Sequence, residues 1–192
     1  MTIDHVKKWR QHQRELLIGI RQQLTMPQRQ SWQRNSHITL AEVFTSLPVS
    51  SLGFYWPIRA EPDCRDFVAK CTESGWKTAL PLIQTTHQAL VFRLWTPECP
   101  MENGPWDIPV PKSGDTIKPD VLLIPLVGFD AAGYRLGYGG GFYDRTLASR
   151  QPKPLSIGLG FESALLDTIH PQPHDIRLDM IITEGGLRDF RQ

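Results

Sequence analysis

The chain has 192 residues, 40% hydrophobic and 21% charged, with 21 Lys and Arg against 20 Asp and Glu. That length fits a single domain over residues 1–192 with a core large enough to need no metal or disulfide staple. The composition excludes a collagen, a disordered acidic tail and a coiled-coil rod, and a formal charge of +1 excludes a strong global nucleic-acid field.

In chain order, Val6, Trp9, Leu16, Ile20 and Leu24 recur at spacings that sum in threes and fours, which predicts a first helix with that stripe facing the core. Residues 1–20 lack the apolar core and cleavage site of a signal peptide. Thr25-Met-Pro-Gln28 reads as a stop and a restart: Thr25 caps a second helix, Pro27 lies in its first turn, and Gln28 is three residues past the cap. That helix is expected to run to about Leu47. Residues 1–34 hold seven basic side chains (Lys7, Lys8, Arg10, Arg14, Arg21, Arg29, Arg34) against Asp4 and Glu15. This surplus suits either a solvated helix face or a polyanion contact.

From residue 51 the period changes. Residues 51–55 read as a strand, residues 63–74 as a helix with Cys64, Phe67 and Cys71 on one face, and Gly75 as its stop. Residues 78–83 and 89–95 are further strands. Six prolines within 97–119 predict a loop or extended connection. The three cysteines (Cys64, Cys71, Cys99) are odd in number with no Cys-x-x-Cys pair, so they read as reduced thiols of a cytoplasmic protein. The continuous apolar run 121–127 predicts a strand covered on both faces and is far shorter than the roughly 20 residues of a membrane span. A short helix after Gly141 and strands at 155–160 and 180–183 follow. Strands alternating with helices predict an α/β fold: a mostly parallel central sheet flanked by helices, with an N-terminal helical segment.

The most informative stretch follows the buried strand. Gly133, Gly137, Gly139, Gly140 and Gly141 fall within nine residues, ahead of a helix, where open parallel sheets place ligands. Glycine lets backbone N–H groups approach an anion, and Arg135 adds a fork for phosphate. Asp144, in the first turn of the helix, is placed to hold a cation against bound phosphates. As a helix-start carboxylate it should also tolerate Asp144→Asn without harm to the fold. The pattern is neither a Walker loop, which needs Lys where Phe142 stands, nor a dinucleotide fingerprint. A tight hairpin or a glycine-rich lid is the alternative to an anion site.

RLGYGGGFYD at 135–144, behind Gly128-Phe129-Asp130, closely resembles the signature of the 5-formyltetrahydrofolate cyclo-ligase (5,10-methenyltetrahydrofolate synthetase) family. Residues 21–29 resemble the family's N-terminal helix break, residues 54–61 its first strand and the acidic position after it, and Pro173-His-Asp175 with residues 178–184 its C-terminal block. The resemblance implies ATP and Mg²⁺ as cofactors and 5-formyltetrahydrofolate as substrate, with the formyl oxygen phosphorylated by ATP before N10 attacks. By position it implies that Arg10, Arg14 and the run Arg135, Leu136, Gly137, Tyr138, Gly139, Gly140, Gly141, Phe142 and Tyr143 line ATP, with Arg135 and Tyr143 catalytic. Tyr138 to Phe142, with Trp56 and Glu61, would meet the folate, and Asp144 and Asp175 would meet Mg²⁺. A monomer without nucleic-acid or membrane partners is expected. Read bottom-up, Trp56 also suits the core, Glu61 a solvated loop, and Asp175 a turn cap. The sequence departs from the family pattern at Arg10 (usually Lys), at Trp106-Asp-Ile-Pro-Val-Pro111, which loses a Gly and a Glu, and at Ala164 (often Gln). The altered 106–111 block leaves open a non-catalytic ATP- or folate-binding homologue.

Overall fold

The computed structural model describes residues 2–191. It opens with α1 (Ile3–Gln22) and α2 (Met26–Thr45), and both start on a threonine cap. At α2 the predicted capping box is closed: Thr25 Oγ1 accepts from Gln28 N, and Gln28 Oε1 accepts from Thr25 N at 2.8 Å. Then come β1 (Ser51–Gly53), α3 (Arg65–Glu73), β2 (Lys77–Leu82), β3 (Val91–Leu94), β4 (Met101–Asn103), β5 (Pro109–Pro111), β6 (Thr116–Ile117) and β7 (Val121–Pro125). The chain ends with β8 (Gly128–Asp130), β9 (Arg135–Leu136), α4 (Phe142–Ala148), β10 (Leu155–Leu159), β11 (Leu165–Leu166), β12 (Met180–Thr183) and β13 (Gly186–Asp189).

Eight strands form one sheet in the order β13-β12-β10-β7-β1-β2-β3-β6. The five inner strands are parallel, and β13, β3 and β6 are antiparallel at the edges. The apolar run of β7 explains its central place. Val121 and Leu123 pack with Trp32, Leu40 and Phe44 of α2 and Phe67 and Val68 of α3 on one face. Leu122 and Ile124 pack with Leu17 of α1 and Leu147 of α4 on the other. A strand covered on both faces needs no polar alternation, which is why the run was legible.

Three expectations change. The prolines of 97–119 do not leave a loop: β4 and β5 form an antiparallel ribbon, Glu102 opposite Val110, and β6 extends the main sheet. Proline is tolerated on such two-stranded and edge pairings, where one side of the strand needs no donor. The glycine loop does not follow the buried strand directly. A hairpin of β8 and β9 intervenes, joined to β11 in a small three-stranded sheet, and Gly133 (φ +88°) serves its turn rather than the loop. The face of α1 is also different. Its buried residues are Val6, Arg10, Leu17 and Arg21, whereas Leu16 and Ile20 are 48% and 38% exposed. Arginines occupy the inward face because buried carbonyls and carboxylates await them there. Cys64 and Cys71 are buried thiols whose pKa burial raises, Cys71 to about 12, in keeping with inert structural cysteines.

Candidate active site

The glycine loop joins β9 to α4, and two of its residues need left-handed backbone, Gly139 at φ +95° and Gly141 at φ +66°. A Cβ on Gly140 would meet the Phe142 ring at 2.8 Å, and one on Gly141 would meet Arg145 Nη1 at 2.8 Å. The ring leaves Gly140 little room for a larger residue, and at Gly141, where the Arg145 tip can move aside, the left-handed backbone disfavours one. Arg145 in turn donates to Gly140 O, fixing the far side of the loop. The open side faces α1. There Arg14 Nε donates to Gly137 O at 2.6 Å, and its guanidinium carbon lies 3.5 Å from where a Gly139 Cβ would stand. Nη1 and Nη2 of Arg14 have no hydrogen-bond partner among the described residues. Burial and then the neighbouring Arg10 cation push the Arg14 pKa down, so this site favours an incoming negative charge.

Arg10 is differently placed. Its Nε donates to Ile169 O and its Nη2 to His170 O, each at 3.0 Å, and the guanidinium pairs with the Asp175 carboxylate. Burial would raise the Asp175 pKa, but the Arg10 hydrogen bonds, the Gln172 N–H and the nearby positive charge together outweigh it and hold the carboxyl below the usual range. Arg10 and Asp175 thus anchor residues 169–175 beside the loop. Arg135 and Asp144 form a second internal pair. Arg135, 7% exposed, reaches Asp144 Oδ1 and Oδ2 at 3.1 and 2.9 Å, and Asp144 Oδ1 also accepts from Ile176 N. Next to them the Tyr143 hydroxyl is buried without a hydrogen-bond partner, and burial followed by the Glu61 charge raises its pKa. A buried hydroxyl with no protein partner has a donor to offer an incoming group.

On the other side of Tyr138 lies Glu61, 6% exposed. Its Oε1 accepts from the Tyr138 hydroxyl at 2.7 Å and its Oε2 from Ile58 N at 2.8 Å. Glu61 lines a cleft of about 300 Å³ with Trp32, Pro57, Ala60, Arg65 and Phe161. Trp56 is half-buried beside that cleft, its ring 4.7 Å from the Arg65 guanidinium carbon and its body packed on the core. Trp32 and Phe161 had no local signal in the sequence, since only the fold brings residues from α2 and the end of β10 to Glu61.

The model of the 5-formyltetrahydrofolate cyclo-ligase family matches residues 6–184. The chain belongs to this family. It is 27% identical over 176 residues to the 5-formyltetrahydrofolate cyclo-ligase of Haemophilus influenzae, an alignment covering 88% of this chain and 94% of that protein. To the enzyme of the same name from Mycolicibacterium smegmatis it is 31% identical over 141 residues, covering 67% and 71% of the two chains. The NMR structure of Aquifex aeolicus 5,10-methenyltetrahydrofolate synthetase superposes with a TM-score of 0.78 at 25% identity, over 95% of this chain and 93% of that one.

For a cyclo-ligase, the residues present fit a nucleotide: Arg14 has unpartnered donors, the loop is open at Gly137, where an added Cβ would meet nothing within 4 Å, and Tyr143 holds an orphaned hydroxyl. A cation is a narrower fit. Among the described residues no three His, Cys, Asp or Glu side chains group as a metal cage, and Asp144 and Asp175 each have an arginine partner. A cation arriving on phosphates needs only one or two protein carboxylates. The altered 106–111 block lies against the same loop: Trp106, 69% exposed with φ +58°, packs edge-on to Phe142 at 6.4 Å. No helix among the described residues is long and apolar enough to cross a membrane.

Glu61 gives the site a pH signature. Burial raises its pKa above the ordinary glutamate value, against the lowering effects of Ile58 N, the Tyr138 hydroxyl, Arg21 and Arg59. A raised carboxyl contributes stability that is full below the unfolded pKa and is lost as pH rises through the folded one. Glu61→Gln, neutral at every pH, is therefore expected to melt above the wild type in mild alkali, with the gap closing as pH falls. Thermal melts across pH check this; a gap that widens toward acid would contradict it.

Proposed function

We propose that this chain converts 5-formyltetrahydrofolate to 5,10-methenyltetrahydrofolate at the expense of ATP, releasing ADP and phosphate. The observation that carries the reading is Tyr138, whose loop meets the unpartnered donors of Arg14 on one side and whose hydroxyl meets the buried carboxylate Glu61 on the other. One loop therefore borders both an anion site and a polar-ring site. In this reading the γ-phosphoryl group moves to the formyl oxygen, N10 attacks the formyl carbon, and the phosphate departs with that oxygen as the ring closes. The substrate supplies the nucleophile, so the protein's work is to position reactants and neutralise charge.

Arg14 and the loop N–H groups of residues 137–141 hold the phosphates, and the Tyr143 hydroxyl donates to an oxygen of the transferring group. Arg135, locked on Asp144, fixes the base of α4 so that the loop keeps its shape. Glu61 orients the pterin through its ring N–H groups, with Trp56 and the Trp32 and Phe161 cleft as apolar walls. Asp144 and Asp175 would hold Mg²⁺, which when bound supplies neutralisation of phosphate charge. We read the protein as a cytoplasmic monomer without nucleic-acid partners. Of the basic residues that made the N-terminal helices look like a polyanion face, Arg10 and Arg21 are turned inward, at 8% and 4% exposure.

The test is to mix the protein with ATP, Mg²⁺ and 5-formyltetrahydrofolate and to follow the absorbance of the conjugated methenyl product. Product is expected only with both substrates present. ATP binding without product would favour the second reading, a non-catalytic homologue, which the departure at Trp106 against Phe142 would then explain.

A further inference from the structure

Arg21 has no part in the mechanism so far, yet its contacts are the most convergent in the site. It is 4% exposed, near the end of α1, and its donors go to three separate stretches of chain. Nε reaches Arg59 O at 3.0 Å, Nη1 reaches Leu126 O at 3.3 Å, and Nη2 reaches the Tyr138 hydroxyl oxygen at 2.5 Å. The first acceptor lies in the turn that presents Glu61. There Arg59 and Ala60 both have positive φ, 45° and 61°, a backbone that non-glycine residues hold only when their surroundings impose it. The second lies just past the end of β7, and the third is on the glycine loop.

The hydroxyl that accepts from Arg21 donates to Glu61 Oε1, so a hydrogen-bond chain runs Arg21 to Tyr138 to Glu61. No carboxylate is in direct contact with Arg21 among the described residues; Glu61 is reached through Tyr138. Arg29 shows the contrast. Its donors go to the backbone carbonyls of Leu24, Ala60, Arg21 and Gln22, which is a staple between helix end and turn. Arg21 alone of the two links that turn to a side chain of the nucleotide loop. The planar guanidinium spreads its donors over a wide, fixed fork, whereas a lysine ammonium is a compact point with rotatable donors.

We propose that Arg21 is a positioning residue of the cyclo-ligase reaction, acting through the Tyr138 hydroxyl to couple occupation of Glu61 by folate to the position of the glycine loop on ATP. The inference rests on the reading of Glu61 as the folate carboxylate. Donors of a pterin ring and the Tyr138 hydroxyl compete for the same Oε1. Folate therefore displaces Tyr138, and the loop on which it sits moves relative to Arg14. Two ligands that share such an element bind with a coupling that is equal in both directions.

The experiment measures the Kd of a non-hydrolysable ATP analogue for the intact protein, with and without saturating 5-formyltetrahydrofolate, alongside the Tm. In the wild type, folate is expected to tighten the analogue by about fivefold or more. Arg21→Gln and Tyr138→Phe should each bring that ratio to within about twofold of one, and the double variant should lose no more than either alone, since both act through one bond. Arg21→Lys should recover Tm more than it recovers the ratio. Tyr138 is 38% exposed, so Tyr138→Phe keeps the test open if Arg21→Gln folds poorly. A wild-type ratio of one, a variant that keeps the wild-type ratio, or additive losses in the double variant would overturn the role of Arg21. Methenyl product from the wild type separates the cases: product with an unchanged ratio in the variants overturns this inference alone, and no product overturns the reading beneath it.

Discussion

Asp144→Asn is expected to lower the Tm by roughly 6–12 °C and turnover by ~10²–10³. The fold part of this differs from what a helix-start carboxylate alone would give. Asp144 neutralises Arg135, whose side chain is 5% exposed against 17% for Asp144, and it also accepts from Ile176 N. Removing one member of a buried pair costs ~3–5 kcal/mol. Asn retains an acceptor oxygen, so the lower end, about 3 kcal/mol, applies; for a chain of this size each kcal/mol is ~2–4 °C. The turnover loss follows from a loosened loop base and from the lost carboxylate at the phosphates, on the scale of one electrostatic contact in a transition state. A Mg²⁺ titration divides the two causes. Asp144→Asn should raise the Mg²⁺ needed for half-maximal rate, whereas Arg135→Gln should not. Wild-type Tm and turnover in Asp144→Asn would contradict both roles.

The second large effect is at Arg14. Arg14→Ala should raise the KM for ATP roughly 10–100-fold, the worth of a charge-assisted contact of ~1.5–3 kcal/mol, with little change in the KM for folate. Its Tm should hardly move, because its hydrogen bond to the protein is the one from Nε to Gly137 O. Arg10→Ala should do the reverse. It strands Asp175 and the carbonyls of Ile169 and His170, so stability falls by about 3–5 kcal/mol while the ATP KM changes less. Steady-state kinetics and melts of both variants check the pair. Equal kinetic effects at the two positions would mean that Arg10 leaves Asp175 to reach the nucleotide.

Local chemistry explains what the sequence made legible. The capping box at Thr25, the two-faced strand at 121–125 and the glycine loop ahead of α4 are all written in contiguous residues. The face of α1 was misread because apolar spacing treats arginine as a solvent residue. Val6, Arg10, Arg14, Leu17 and Arg21 recur at steps of four, four, three and four, one stripe of a helix in which cations replace core residues. That stripe is the signal for Arg21 in the sequence. What it could not supply was the partners: Gly137 O is 123 residues from Arg14, and Asp175 is 165 from Arg10. The pairing of Arg135 with Asp144 is hidden at shorter range, since the loop and helix start between them must fold back before the two can meet. The ribbon of β4 and β5 was hidden for another reason: its prolines argue against strand wherever the pairing is not already known.

If ATP activates the formyl oxygen on this loop, that oxygen leaves with the phosphate, and its fate can be followed by isotope. 5-Formyltetrahydrofolate carrying heavy oxygen in its formyl group is turned over with ATP, and the released phosphate is weighed by mass spectrometry. Each phosphate is expected to carry the heavy oxygen, one per methenyl product formed. Methenyl product accompanied by unlabelled phosphate would contradict this activation, because the formyl oxygen would then have left as water.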